Sequence, residues 1–316
     1  MSVRRGLSLL PALLLAATLV GARATEAADK RFAVVLPAGG NAFYDAVGEG
    51  CRARAAALGG AACLVFGPGG EEKRSQGEIL RDLVADRIDG IAVSPARLDD
   101  VVPALTAAAA AGIPVVAFDA DLPTPLRRAF VGTNARDFGR ALGSSLRRWK
   151  PAGGKYALLT GDPSVPALAD RVTGVRDALG SGWTEVPGSP AVTTGEARSA
   201  AGQVDRLLVD NPDLDAVISV GAWPLLAEDA WREIALRHKE RIDRARVVLV
   251  VADALPIERR LVRDGLGHVL VGQRPADMGA RIAETLGTLA AGRRAPDVIY
   301  VGFEILTRRD LLARPE

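Results

Sequence analysis

From residue 30 onward the chain alternates between two kinds of hydrophobic pattern. Short apolar runs bounded by Gly, Pro or Asp fall at residues 32–36, 62–66, 90–93, 114–118, 156–159, 216–220, 247–251 and 268–271. Runs of this length, rich in β-branched residues, predict strands buried on both faces, as in a parallel sheet covered by helices. Between them lie segments of helical period. In one, Ile79, Leu80, Leu83 and Val84 share a face, with charges between them. Another spans 98–111, opening after Ser94-Pro95 and stopping at Gly112 with Pro114 beyond. Alternation of strand and helix along the whole chain predicts an α/β fold with right-handed crossovers, in two sets of units at about 30–132 and 155–251. No short repeat, Pro-rich linker or low-complexity tract interrupts either set.

The first residues depart from this pattern. Arg4-Arg5, an apolar stretch at 7–20 and the small-x-small site Ala22-Arg23-Ala24 predict a signal peptide over residues 1–24. The apolar stretch is about 14 residues, short of the roughly 20 that span a bilayer as a helix. An uncleaved anchor is the alternative reading, and no Cys follows the stretch to carry a lipid. A soluble, exported protein is expected.

Of the 316 residues, 48% are hydrophobic and 25% charged. These globular proportions exclude collagen-like, disordered and disulfide-dense classes, and the length suits about two domains. The formal charge of +2 depends on Arg4, Arg5 and Arg23; without them 37 basic side chains face 38 acidic ones. That leaves no basic surplus for nucleic acid or an anionic membrane. Export permits Cys51 and Cys63 to pair. They fall on a predicted helix and the strand after it, so a bridge stabilising by about 3 kcal/mol and two buried thiols are both compatible with the spacing. Together with the scattered His238 and His268 they form no cluster at metal-site spacing, and no cofactor is called for.

In open parallel sheets ligands bind beyond the carboxyl ends of the strands. The loops at those ends hold Gly39-Gly40-Asn41-Ala42-Phe43-Tyr44, Ser94-Pro95, Asp119-Ala120-Asp121, Gly161-Asp162-Pro163, Gly221-Ala222-Trp223-Pro224, Ala252-Asp253 and Gln273-Arg274-Pro275. Planar polar groups beside aromatic rings suit carbohydrate: fixed donors and acceptors meet vicinal hydroxyls, and a ring covers the apolar face of the sugar. The Phe43-Tyr44 pair serves a core equally well. Asp119 and Asp121 straddle Ala120, so one is free to serve a ligand while the other caps or turns. Gly39-Gly40 lacks both the GxGxxG spacing and the Lys-Ser/Thr of a phosphate loop. No GxSxG, HExxH or Cys–His pair points to catalysis.

With these loops in place the sequence resembles the periplasmic ribose/galactose-type sugar-binding proteins of ABC importers. The resemblance covers about residues 30–312. It rests on Asn41-Ala42-Phe43-Tyr44, DGIAVSP at 89–95, GIPVVAFDADLP at 112–123, FVGTN at 130–134, Arg171-x-x-Gly174, GAWP at 221–224 and VGQRPADMG at 271–279. It implies two doubly wound parallel-sheet lobes joined by a three-crossover hinge, the type I periplasmic binding protein fold. The implied lobes are 30–132 plus 274–299 and 133–273 plus 300–316. The implied ligand contacts are Asn41, Phe43, Tyr44, Asp119, Arg171, Asp253 and Gln273.

Ala120, Gly221, Ala252 and Gly195 stand where ribose-type members carry Arg, Asn, Phe and an aromatic. The cleft is therefore expected to be wider, with Trp223 supplying replacement stacking and the ligand something other than ribose: a larger sugar, a polyol or a non-carbohydrate. The resemblance further implies a periplasmic monomer that closes about its hinge and delivers ligand to an ABC permease of the inner membrane. A co-receptor for a sensor kinase or chemoreceptor is the alternative, and an exported hydrolase or isomerase a weaker one.

Overall fold

The structure, a computed structural model, describes residues 30–69 and 72–313; the expected signal peptide lies outside the described residues. Two sheets organise the chain. The first contains β1 (Lys30–Val35), β2 (Ala61–Phe66), β3 (Gly90–Val93), β4 (Val115–Phe118), β5 (Ala129–Gly132) and the late strand β12 (Val298–Tyr300). Their spatial order is β12-β5-β4-β3-β1-β2, and all these pairings are parallel. The second contains β6 (Gly154–Thr160), β7 (Trp183–Glu185), β8 (Ala191–Val192), β9 (Ala216–Ser219), β10 (Val248–Ala252), β11 (Val269–Gln273) and β13 (Phe303–Thr307). Its order is β13-β11-β10-β9-β6-β7, with β8 also on β6; β13 runs antiparallel to β11, a departure from the all-parallel expectation.

Each sheet is buried on both faces, which explains the uninterrupted apolar runs. In β1, Phe32 and Val34 face one core with Val47 and Met278, while Ala33 and Val35 face another with Ile79 and Val101. In β10, Val248 and Val250 pack with Phe138 and Leu142, and Leu249 and Val251 with Val204 and Trp231. Side chains alternate between the two faces of a strand, so both must be apolar when helices cover both. The helices α1 (Ala42–Leu58), α2 (Gln76–Ala85) and α3 (Leu98–Ala110) belong to the first lobe. The second has α4 (Ala135–Trp149), α5 (Pro166–Leu179), α6 (Ala197–Asp210), α7 (Trp223–Leu226), α8 (Glu228–Arg237), α9 (Lys239–Asp243) and α10 (Pro256–Arg263). After β11 the chain returns to the first lobe as α11 (Pro275–Ala290), and after β12 it ends in the second with β13 and α12 (Arg308–Ala313).

The chain thus passes between lobes three times. The first and third passages are tied together, the Val301 N–H donating to the Gly132 carbonyl at 2.7 Å. Each lobe also holds helices in backbone contact. A Cβ at Gly279 of α11 would lie 1.9 Å from the Val47 carbonyl oxygen of α1; one at Gly139 of α4 would lie 2.1 Å from that of Arg171 on α5. Only glycine permits either approach. Cys51 on α1 and Cys63 on β2 are bridged, with Cα atoms 5.9 Å apart in the first core.

Candidate functional site

Strand order reverses once in each sheet, between β1 and β3 in the first and between β6 and β9 in the second. At such a switch point neighbouring loops leave in opposite directions and open a crevice at the carboxyl ends of the strands. In the first lobe the crevice is flanked by the loop after β1, which starts α1, and by Ser94 after β3. Asn41 is the N-cap of α1: its Oδ1 accepts from the Phe43 N–H at 2.9 Å, leaving its amide nitrogen as the donor it can offer. Phe43 is largely sunk in the core and meets Tyr44 edge to face at 5.1 Å. The Tyr44 hydroxyl donates to Asp119 Oδ2 at 2.9 Å, with Ser94 also in hydrogen-bonding reach. Burial, reinforced by the Asp119 charge, pushes the Tyr44 pKa far up, so the phenol remains a donor. Burial likewise raises the Asp119 carboxyl above the usual range.

Asp119 and Asp253 are built alike. Each follows the strand in the middle of its lobe, β4 or β10, with positive φ of 58° and 75°. Each sends its N–H back to the neighbouring strand, to Val131 at 3.1 Å and Val271 at 2.7 Å. Asp tolerates the left-handed region better than most side chains, and the turn swings the carboxylate out of line with the strand. Asp121 has the separate job expected for one of the pair: it holds Arg127 and the Leu122 N–H.

From the second lobe, Arg171 on α5 donates to the Val220 carbonyl at 2.9 Å and lies 4.7 Å from the Phe138 ring centroid. Its Nε is buried without a hydrogen-bond partner among the described residues, and its charge acts on Asp119 across the cleft. Gln273, at the end of β11, donates to Asp253 Oδ1 at 2.9 Å. Trp223 caps the carboxyl edge of β6 and β9, in contact with the cores on both faces of that sheet. A Cβ at Gly221 would meet its ring at 2.7 Å and one at Gly161 at 3.2 Å; Gly195 faces its indole nitrogen at 3.8 Å. The expectation that Gly221 widens the cleft is corrected here, because the indole fills the space its missing Cβ leaves.

Between the lobes a cavity of about 440 Å³ is lined by Phe43, Asp45, Glu49, Asp253, Arg259 and Gln273, among others. Asp45, Glu49 and Arg259 were not anticipated from the sequence, nor was Ser94 singled out from its loop. The four-residue spacing from Asn41 to Asp45 to Glu49 sets all three on one face of α1 and is the signal that could have found them. A second cavity, about 230 Å³ beside Pro125, Arg128 and Arg293, shares no residue with this one. Among the described residues no group of His, Cys, Asp and Glu could hold a metal ion.

The solved structures similar to this chain share its two-lobed fold. A glucose-galactose binding protein, GanP, from Geobacillus stearothermophilus matches with a TM-score of 0.74 at 24% identity, over 90% of this chain and 99% of that one. An ABC transporter solute binding protein from Burkholderia graminis, in complex with D-arabinose, gives 0.78 at 22%, over 92% and 99%. An ABC transporter periplasmic solute binding protein from Actinobacillus succinogenes, with bound D-allose, gives 0.77 at 18%, over 90% and 100%. The family model for a periplasmic binding protein domain matches residues 32–294. With most of its length so matched, the chain belongs to the periplasmic binding protein domain family.

Proposed function

We propose that this protein captures a sugar or sugar-like polyol between its lobes in the periplasm and hands it to an ABC importer. The observation that carries the reading is the convergence of unlike groups from two lobes. Asp119 and Tyr44 belong to the first, Arg171, Asp253 and Gln273 to the second, and Arg171 and Asp253 act on Asp119 across the gap. Closure about the three passages removes water from this set, where charge-assisted hydrogen bonds strengthen and unmatched groups cost most. The ligands of the similar structures, arabinose and allose among them, support the substrate class. In this reading the lobes are 30–132 plus 274–299 and 133–273 plus 300–316, and Asn41, Phe43, Tyr44, Asp119, Arg171, Trp223, Asp253 and Gln273 hold the ligand. Asp119 and Arg171 accept from and donate to hydroxyls, and binding proceeds without turnover.

The test is a thermal-shift screen of residues 25–316 against sugars and polyols, followed by calorimetry on Asp119→Ala and Arg171→Ala. A ligand at 100 times its Kd stabilises by about 2.7 kcal/mol. Each substitution is expected to weaken binding by about tenfold or more, since hydrogen bonds to charged groups contribute about 1.5–3 kcal/mol. Losses below threefold for both would remove these residues from the site.

A further inference from the structure

The charges around the cleft do not balance. Arginines on its strand-end loops are tied to carboxylates: Arg74 to Glu72 and Asp82, Arg97 to Asp99, Arg274 to Asp277 at 3.6 Å. Arg259, which lines the interlobe cavity, is held by Glu304 and the Ala254 carbonyl. The carboxylates facing the same space have no such partners. Asp45, Glu49 and Asp253 line the cavity without an ion pair among the described residues, and Asp119 accepts only from Tyr44. Arg171, whose charge acts on Asp119, has its guanidinium directed at the Val220 carbonyl and the Phe138 ring. Helix α1 compensates Asp45, which lies in its first turn. The Asp253 carboxylate accepts one side-chain hydrogen bond, from the neutral Gln273 amide.

We infer that the ligand is a cation, an amine-bearing sugar or polyol whose ammonium lies against Asp253 in the cavity lined by Asp45 and Glu49. This rests on the binding reading above and narrows its substrate class. The remaining groups divide the rest of the ligand. Asp119 and Arg171 take hydroxyls, and Phe43 and Trp223 take the apolar face. An ammonium supplies three donors and a charge to a carboxylate, whereas a hydroxyl supplies one donor and none. Such charged bonds are roughly twice as strong as neutral ones.

The test is calorimetry at mildly acidic pH on residues 25–316 with three matched probe sets: neutral hexoses (glucose, galactose, mannose), their 2-amino-2-deoxy counterparts, and the N-acetylated forms of these. An aminated cyclitol is added as a probe with a different amine position. The expected result is at least a tenfold preference for one aminated probe over its neutral parent. N-acetylation abolishes the preference, and salt weakens it as charge screening requires. Asp253→Asn, which keeps a residue at home in the left-handed turn, brings the aminated and neutral probes to within about threefold. Asp45→Asn with Glu49→Gln, both exposed on α1, reduces the preference for the aminated probe and its salt dependence. A neutral hexose binding as tightly as its aminated counterpart overturns the proposal and leaves the sugar-binding reading intact. A preference that survives Asp253→Asn overturns the placement. If no probe of any set binds while the thermal-shift screen finds a neutral pentose or polyol ligand, this proposal falls and the binding reading stands; if that screen is empty too, both fall.

Discussion

Glu258 is a fully buried carboxyl at the first turn of α10. One oxygen accepts the Leu255 N–H at 2.8 Å, while Oε1 has no partner among the described residues. Burial, reinforced by the nearby Asp253 charge, raises its pKa well above the ordinary carboxyl value. The folded chain therefore holds a proton that the unfolded chain releases above about pH 4.3, and the linked stability declines as pH rises toward the folded value. Asp119 acts with the same sign. His268 acts with the opposite one. Its Nδ1 accepts the Leu249 N–H and its Nε2 donates to the Ile242 carbonyl, both at 3.1 Å. Burial lowers its pKa, so stability falls as pH drops below about 6.5. Glu258→Gln keeps the Leu255 contact and removes the titration. It is expected to raise Tm above neutral pH, by on the order of 2–4 °C per kcal/mol relieved, and to leave the acid limb unchanged. A Tm that falls equally at every pH would show instead that the ionised carboxylate supports the fold.

At the scale of elements, the contact between α4 and α5 sets the position of Arg171. Gly139 and Gly174 let each backbone approach the other: a Cβ at Gly174 would lie 2.1 Å from the Arg136 carbonyl oxygen, as one at Gly139 would from that of Arg171 itself. Gly139→Ala therefore pushes the turn of α5 that carries the arginine. Overpacking of this kind costs about 1–3 kcal/mol. The expected outcome is a Tm lower by several degrees together with weaker ligand binding; an unchanged Kd would show that Arg171 is placed by something other than this contact. The glycine of Arg171-x-x-Gly174 was legible as a motif, but its purpose emerges only with the facing helix. The strands divide in the same way. Those covered on both faces, such as β1 and β10, declare themselves as continuous apolar runs. Short or exposed strands do not: Val298 and Tyr300 of β12 are exposed, and β7 and β8 are two or three residues long, whereas the six-residue edge strand β2 still reads as a run.

Across the whole molecule, two lobes repeat one plan. Each has a switch point, a left-handed Asp after its middle strand and a glycine-cleared helix pair. The plan was legible because strand-end loops are known from local pattern, and Asn41, Tyr44, Asp119, Asp253 and Gln273 all lie in them. The filling of the second crevice was not legible. It depends on Gly161, Gly195 and Gly221 meeting over one ring, and residues so far apart leave no periodic trace. That ring has an optical consequence. The chain has four tryptophans. Trp183 and Trp231 are buried in the second lobe, and Trp149 ends α4 beside His268, at the far edge of the sheet from the cleft. Trp223 alone of the four stands half-buried at the cleft, so its emission will report on whatever displaces water from its exposed face. Ligand titration is expected to change the intrinsic fluorescence of the wild-type chain and to leave that of Trp223→Phe flat, so the protein carries its own built-in probe of occupancy.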